Sequence, residues 1–188
     1  MAATIGFLAA ELPRWDQLLR EEGARPEVLG LPFFEDERPL RGAAGLCDWR
    51  LCGRLSRLLG ADREARLRGA LGERLLLPTG PRLPWRRLLL YGLGPTARFD
   101  ERVARDAGRE LLAALRALAP GSAAAPTTLA LVPPGRSTGA LSARRALELL
   151  LDEGGAALRE SGHHLAIVES IAGQKEAAEL ARRFEGPG

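Results

Sequence analysis

Short, nearly unbroken apolar runs alternate with segments of helical period through the second half of this sequence, and few folds accept that pattern. Leu88-Leu89-Leu90-Tyr91, Thr127 to Val132 and His164 to Val168 are apolar stretches of strand length. A strand that is apolar at both parities suits a sheet covered on both faces. Between and after these runs the period changes. Asp100 stands as N-cap of a helix to about Leu118, with Val103, Ala107, Leu111, Leu112, Leu115 and Leu118 on one stripe. Ser142 opens a helix through Leu151, which can continue past Gly154-Gly155 to Arg159. Ala172 to Phe184 reads as a last helix, with Ala177, Leu180 and Ala181 on one face. The alternation predicts an α/β domain with a mixed central sheet flanked by helices.

The first half is less regular. Ile5 to Ala9 reads as a short strand, and Pro13 to Glu22 as a helix ending at Gly23, with Trp15, Leu18 and Leu19 at helical spacing. Val28 to Phe34 reads as a buried strand, with Pro32 pointing to an edge or an irregular end. A helix is expected from about Ala44 to Leu59, stopped by Gly60. Arg74 to Pro78 and Arg87 to Tyr91 read as two further strands. A chain of 188 residues fits one domain. Residues 1–26 form a strand/helix extension in this reading, and 27–188 the domain proper. Ala117 to Pro126 is a loop too short to divide domains.

Charge narrows the class of partner. Of the 27 Lys and Arg residues, all but Lys175 are arginine, yet the net charge is only +3. The charge is spread along the chain and makes no phosphate-tracking stripe, which argues against a dedicated nucleic-acid binder. No apolar run reaches the roughly 18 residues a membrane span requires. Met1 to Ala10 lacks a basic n-region, so it is a poor signal peptide and a cytoplasmic protein is expected. Cys47 and Cys52 lie five apart, about 140° around a helix, so no disulfide is expected and both are read as buried thiols.

Two glycine-bounded loops are candidate ligand walls. Gly92-Leu93-Gly94 follows a strand and precedes a helix, a place where backbone amides can approach an anion. The third glycine of a dinucleotide fingerprint is missing, since position 97 is Ala, and Asp100 would repel phosphate. Gly135-Arg136-Ser137-Thr138-Gly139 also follows a strand and offers amides, hydroxyls and one guanidinium. An ordinary turn and a surface loop are the plainer accounts of the two. His163 and His164 are the only histidines; as strand neighbours they point to opposite faces and cannot easily share a metal. Glu35-Asp36-Glu37 lacks the spacing and glycine turn of a calcium loop and reads as a solvated loop. No catalytic residues, metal site or cofactor are assigned.

Four segments, taken in order, carry a resemblance. They are Phe34-Glu35-Asp36-Glu37-Arg38-Pro39-Leu40 after a strand, and the helix Gly45-Leu46-Cys47-Asp48 through Gly53-Arg54-Leu55-Ser56-Arg57-Leu58-Leu59. Gly72-Glu73-Arg74-Leu75-Leu76-Leu77-Pro78-Thr79-Gly80 follows, then Arg86 to Gly94 with Phe99-Asp100 opening a long helix. From about residue 27 to 135 this series resembles the N-terminal domain of leucyl aminopeptidases, the M17 metallopeptidase family. The resemblance implies a macro-domain-like α/β fold that is not the catalytic part of the enzyme. The catalytic part carries two metal ions, a metal-binding lysine, acidic ligands and an Asn-Thr-Asp-Ala-Glu-Gly-Arg signature, none of which occurs here. The chain's last residues, Ala181 to Gly188, fall near where the family's linker helix leads into that part. In one departure, Asp152-Glu153-Gly154-Gly155-Ala156-Ala157-Leu158 replaces a segment that in the family holds Tyr and Phe.

These observations set three expectations. The first is a non-enzymatic relative of the aminopeptidase N-terminal domain that works through protein contacts, by self-assembly or by docking to a partner. The second is a macro-like module binding ADP-ribose or another nucleotide at Gly92, Gly94, Gly135, Arg136, Ser137, Thr138 and Gly139. The third is a regulatory subunit of a split aminopeptidase, paired with a metallopeptidase chain.

Overall fold

The computed structural model describes residues 3–21, 26–59, 67–119 and 127–185. The stop signals expected at Gly23 and Gly60, and most of the loop expected at Ala117 to Pro126, lie outside the described residues. The chain folds as β1 (Ile5–Ala9), α1 (Leu12–Arg20), β2 (Val28–Phe33), α2 (Gly42–Arg50), α3 (Arg54–Leu58), β3 (Arg74–Pro78) and β4 (Arg87–Gly92). It continues with α4 (Glu101–Leu118), β5 (Thr128–Leu131), α5 (Ala143–Ser161), β6 (His164–Glu169) and α6 (Ile171–Glu185). The strands form one six-stranded mixed sheet in the order β1-β6-β5-β2-β4-β3. Every neighbouring pair is parallel except β3 with β4.

The apolar runs behave as their parity requires. In β4, Leu89 and Tyr91 enter the core beneath α4, α5 and α6, while Leu88 and Leu90 enter the opposite core with α1, α2 and α3. Leu129 and Leu131 of β5 take the first face and Ala130 takes the second. Burying such a side chain contributes about 1.5–3 kcal/mol, so the double cover fixes register strongly. The segment before β2 belongs to the same body. β1 pairs with β6 at the sheet edge, and Trp15 of α1 packs edge-on against Trp85 with ring centroids 5.2 Å apart. The Trp15 indole N–H donates to the Ala9 carbonyl at 3.0 Å. On the far edge, the Arg54 guanidinium donates to the Pro78 carbonyl at 3.1 Å.

Three local expectations are corrected. Pro32 lies in an interior strand, not at an edge. Gly30 accepts a hydrogen bond from Val132 on the β5 side, so Pro32, two residues on, turns its missing N–H toward the same side, where β5 has ended at Leu131. The single helix expected from Ala44 to Leu59 is two helices. Cys52 and Gly53 take left-handed conformations (φ 54° and 74°), and Gly53 N–H closes back on the Asp48 carbonyl. The Asp48 carboxylate then receives the Ser56 N–H and hydroxyl, holding the start of α3. Cys52 is consequently exposed; only Cys47 is a buried thiol, and burial pushes that thiol well above its ordinary range.

The two long helices follow the sequence closely. Asp100 and Ser142 cap α4 and α5, accepting from the amides of Val103 and Arg145. Helix α5 runs unbroken through Gly154-Gly155, because those glycines are interface positions. A Cβ on Gly154 would stand 2.2 Å from Leu112 Cδ1 of α4, so helix packing outweighs the propensity cost of glycine. Among the described residues no helix is long and apolar enough to cross a membrane.

Candidate functional site

The carboxyl ends of parallel strands are where open α/β sheets hold ligands. Here the ends of β2, β5 and β6 open into a cleft of about 410 Å³. Its walls include Gly42 to Ala44 at the start of α2, the loop residues Gly135, Arg136 and Ser137, and Glu169 and Ser170 at the end of β6. The N-cap residue Arg41 makes no side-chain cap bond, so the first amides of α2 have no intrahelical partner and no capping side chain among the described residues.

The charged groups of the cleft are engaged with each other. Arg136 meets Glu169 in a forked pair, Nε to Oε2 at 2.6 Å and Nη2 to Oε1 at 3.3 Å, and a further arm donates to the Leu141 carbonyl. Glu169 is buried and also receives the Ser170 N–H at 2.8 Å and hydroxyl at 2.9 Å. The Ser137 hydroxyl donates to Glu37 at 2.7 Å, and Glu37 accepts the Arg41 N–H at 3.0 Å. Arg136 is therefore a loop strut with its charge compensated, the Ser137 and Ser170 hydroxyl protons are committed to Glu37 and Glu169, and the donors left for a ligand are backbone amides.

The two glycine loops part company. Gly135, Arg136 and Ser137 line the cleft; Thr138 and Gly139 follow without lining it, the Thr138 hydroxyl buried and unpartnered and Gly139 exposed at φ 72°. Gly92 and Gly94 take no part in the cleft. A Cβ on Gly92 would stand 2.2 Å from the Ala70 carbonyl oxygen, and Gly94 N–H donates to the Gly69 carbonyl at 2.9 Å. The adjoining amides of Arg68, Gly69 and Ala70 converge on one carboxylate oxygen of Glu73 at 2.8–3.1 Å. Such a nest of amides is an anion cradle. In this molecule the chain's own carboxylate fills it.

The remaining sequence candidates have structural partners. The acidic loop is not simply solvated. Glu37 is buried, and Asp36 receives the Thr96 N–H at 2.9 Å and hydroxyl at 2.6 Å, bonds that hold its carboxyl below the ordinary carboxylate range. His163 accepts from Thr127 N–H at 3.3 Å, whereas His164 meets the Thr4 hydroxyl on the β1 side. Among the described residues no group of three or more His, Cys, Asp or Glu is arranged to hold a metal ion.

A second concavity lies at the other end of α2. Asp16 and Leu19 of α1, Trp49, Arg50 and Cys52, and Pro81 and Arg82 line an open groove of about 580 Å³. Trp49 is 67% exposed, the most exposed large apolar side chain described. Sequence reading missed this groove, and it missed Glu169 as a cleft residue and Glu37 as the partner of Ser137. The one legible signal was Glu169, an acidic residue closing an otherwise apolar strand; Ser137 and Glu37 are a hundred residues apart and meet only through the fold.

No family model matches the chain. It is similar to a probable cytosol aminopeptidase of Synechocystis sp., 33% identical over 80 residues, a stretch that covers 43% of this chain. That stretch amounts to 16% of the length of the Synechocystis protein. A region of the chain is thus related to a region of a cytosol aminopeptidase, in accord with the resemblance in the sequence.

Proposed function

We propose that this chain serves as a non-catalytic, aminopeptidase-related module that acts through contacts with other polypeptides. The observation that carries this is Trp49, a large aromatic side chain left 67% in solvent at the rim of an open groove. Trp and Arg are the residues most enriched among interface anchors, and here they share one groove. The relation to a region of a cytosol aminopeptidase fits a module that packs against a catalytic part, on the same chain or another. Light scattering of the purified protein, alone and mixed with an aminopeptidase catalytic domain, tests it. A complex or oligomer is expected. A strictly monomeric protein that neither joins nor alters the catalytic domain overturns it.

A second reading rests on the cleft. The α2 N-terminus, whose cap residue makes no side-chain cap bond, and the strand ends suit a small anionic ligand such as ADP-ribose or another nucleotide. It ranks second because Glu169 and Glu37 both lie against the cleft loop and Arg136 is already paired. Calorimetry with ADP-ribose and AMP decides it: heat at micromolar to millimolar ligand supports it, and none at millimolar ligand removes it.

A further inference from the structure

We infer that the groove at the end of α2 docks an acidic peptide segment carrying an apolar side chain; this rests on the proposal that the chain works through protein contacts. Four arginines approach the turn that separates α2 from α3. Arg57 donates to the Cys52 carbonyl at 2.9 Å, Arg82 donates to the Cys52 sulfur, and Arg54 donates to the Pro78 carbonyl. Each of these three is exposed, and each is bonded to backbone or sulfur with no carboxylate partner among the described residues. Only the fourth, Arg50, is paired, with Asp16, and its Nε is buried without a partner.

The plain account of Arg57 and Arg82 is that they satisfy carbonyls at the end of a helix, where cations are favoured. That account uses one arm of each. A guanidinium has five N–H donors, so most of each fork remains for an acceptor. Anchoring by one arm also holds the side chain in place, which lowers the ordering cost of binding. Trp49 supplies a flat apolar wall beside Arg82 and the Arg50–Asp16 pair, which line the groove with it, while Arg54 and Arg57 stand at the adjoining turn outside that lining. Carboxylates on the arginines and an apolar side chain on Trp49 satisfy both parts of the surface. Single-stranded nucleic acid, whose phosphates answer the charge and whose bases stack on an indole, is the rival occupant.

The experiment uses the whole protein. Fluorescein-labelled peptides of alternating Glu and Leu, the same peptides with Lys for Glu, and a 20-nucleotide single-stranded DNA are titrated by anisotropy. Accessibility of Cys52 to a thiol reagent is followed in parallel; Cys47 is buried and does not report. Expected are at least tenfold preference for the Glu peptide over the Lys peptide, slower modification of Cys52 when it is bound, and at least fivefold weaker binding in Trp49→Ala and in Arg82→Gln. Equal binding of the two peptides, an unprotected Cys52, unchanged affinity in both variants, or tighter binding of the DNA overturns the assignment. Complex formation by light scattering is measured separately on the same variants. If complexes persist while the peptide result fails, contacts are made elsewhere and only this surface is lost. If no complex forms at all, the broader proposal fails with it.

Discussion

The two glycine loops have similar sequences and opposite fates. Gly92-Leu93-Gly94 and Gly135 to Gly139 both leave a buried strand, and both carry glycines at positive φ, Gly94 at 72° and Gly135 at 83°. Around the first, the segment at residues 67–73 closes in, and Glu73 occupies the amide nest an anion would need. Around the second, space remains, and the loop forms one wall of a cleft. A strand followed by glycines therefore announces a close backbone approach without saying what approaches. In the first it is the backbone of residues 69–70; at Gly135 it is the Phe99 ring, 2.7 Å from where a Cβ would stand, while Gly135 to Ser137 still line the cleft and Gly139 has nothing within 4 Å.

The contrast can be broken by substitution. The largest effect belongs to Gly92→Ala, whose methyl group has no room beside the Ala70 carbonyl. Overpacking against backbone costs about 3 kcal/mol, read from urea unfolding midpoints. A loss under about 1 kcal/mol would mean the loop is not closed as described. Next is Glu73→Ala, which strips the acceptor from three amides. About 2 kcal/mol is expected, and a stabilisation by millimolar sulfate that the variant shows and the parent does not would show that the emptied nest takes an external anion. Gly139→Ala belongs to the open loop: nothing stands within 4 Å of the added methyl, and only the left-handed conformation resists it, at about 1 kcal/mol. Equal costs for Gly92→Ala and Gly139→Ala would erase the distinction between the loops.

The smallest effect is a pH dependence confined to the closed side. Thr96 lowers the folded-state pKa of Asp36, so the Asp36–Thr96 contribution is present above the unfolded carboxylate pKa and is lost as pH falls through the folded value. Asp36→Asn should flatten that acid-side slope of the unfolding curve while leaving the slope near neutrality unchanged. An acid-side slope identical to the parent's would remove Asp36 as its source.

Much of the fold was legible because parity and period are local properties. Leu88 to Tyr91 reads as a doubly covered strand from four letters, and the Asp100 and Ser142 caps need only their own turn. The breaks were less legible. Splitting the expected Ala44 to Leu59 helix depends on Cys52, a residue with no special tolerance for positive φ, held there by the closure of Gly53 onto Asp48. Pro32 misleads for a similar reason: whether its missing N–H matters depends on where β5 stops. The site was harder still. Gly135 to Ser137 were found as a loop, but the pairing of Arg136 with Glu169 and of Ser137 with Glu37 joins residues 33 and 100 positions apart. Trp49 gave no signal, because an aromatic on a helical stripe is ordinarily core and only the assembled fold leaves this one outside.

The indole of Trp15 on the Ala9 carbonyl has a consequence for how copies of this molecule can meet. β1 is a border strand without a charged residue, the sort of edge that recruits strands from other molecules. Trp15 takes up its last carbonyl, and α1 turns away immediately after it. On the opposite border Pro78 has no N–H to offer and Arg54 occupies its carbonyl. The two borders are stoppered at opposite ends of the sheet. Fibre-like growth by strand addition is therefore disfavoured in both directions, and any ordered assembly is steered to side-chain surfaces, where partners can be selected by shape and charge.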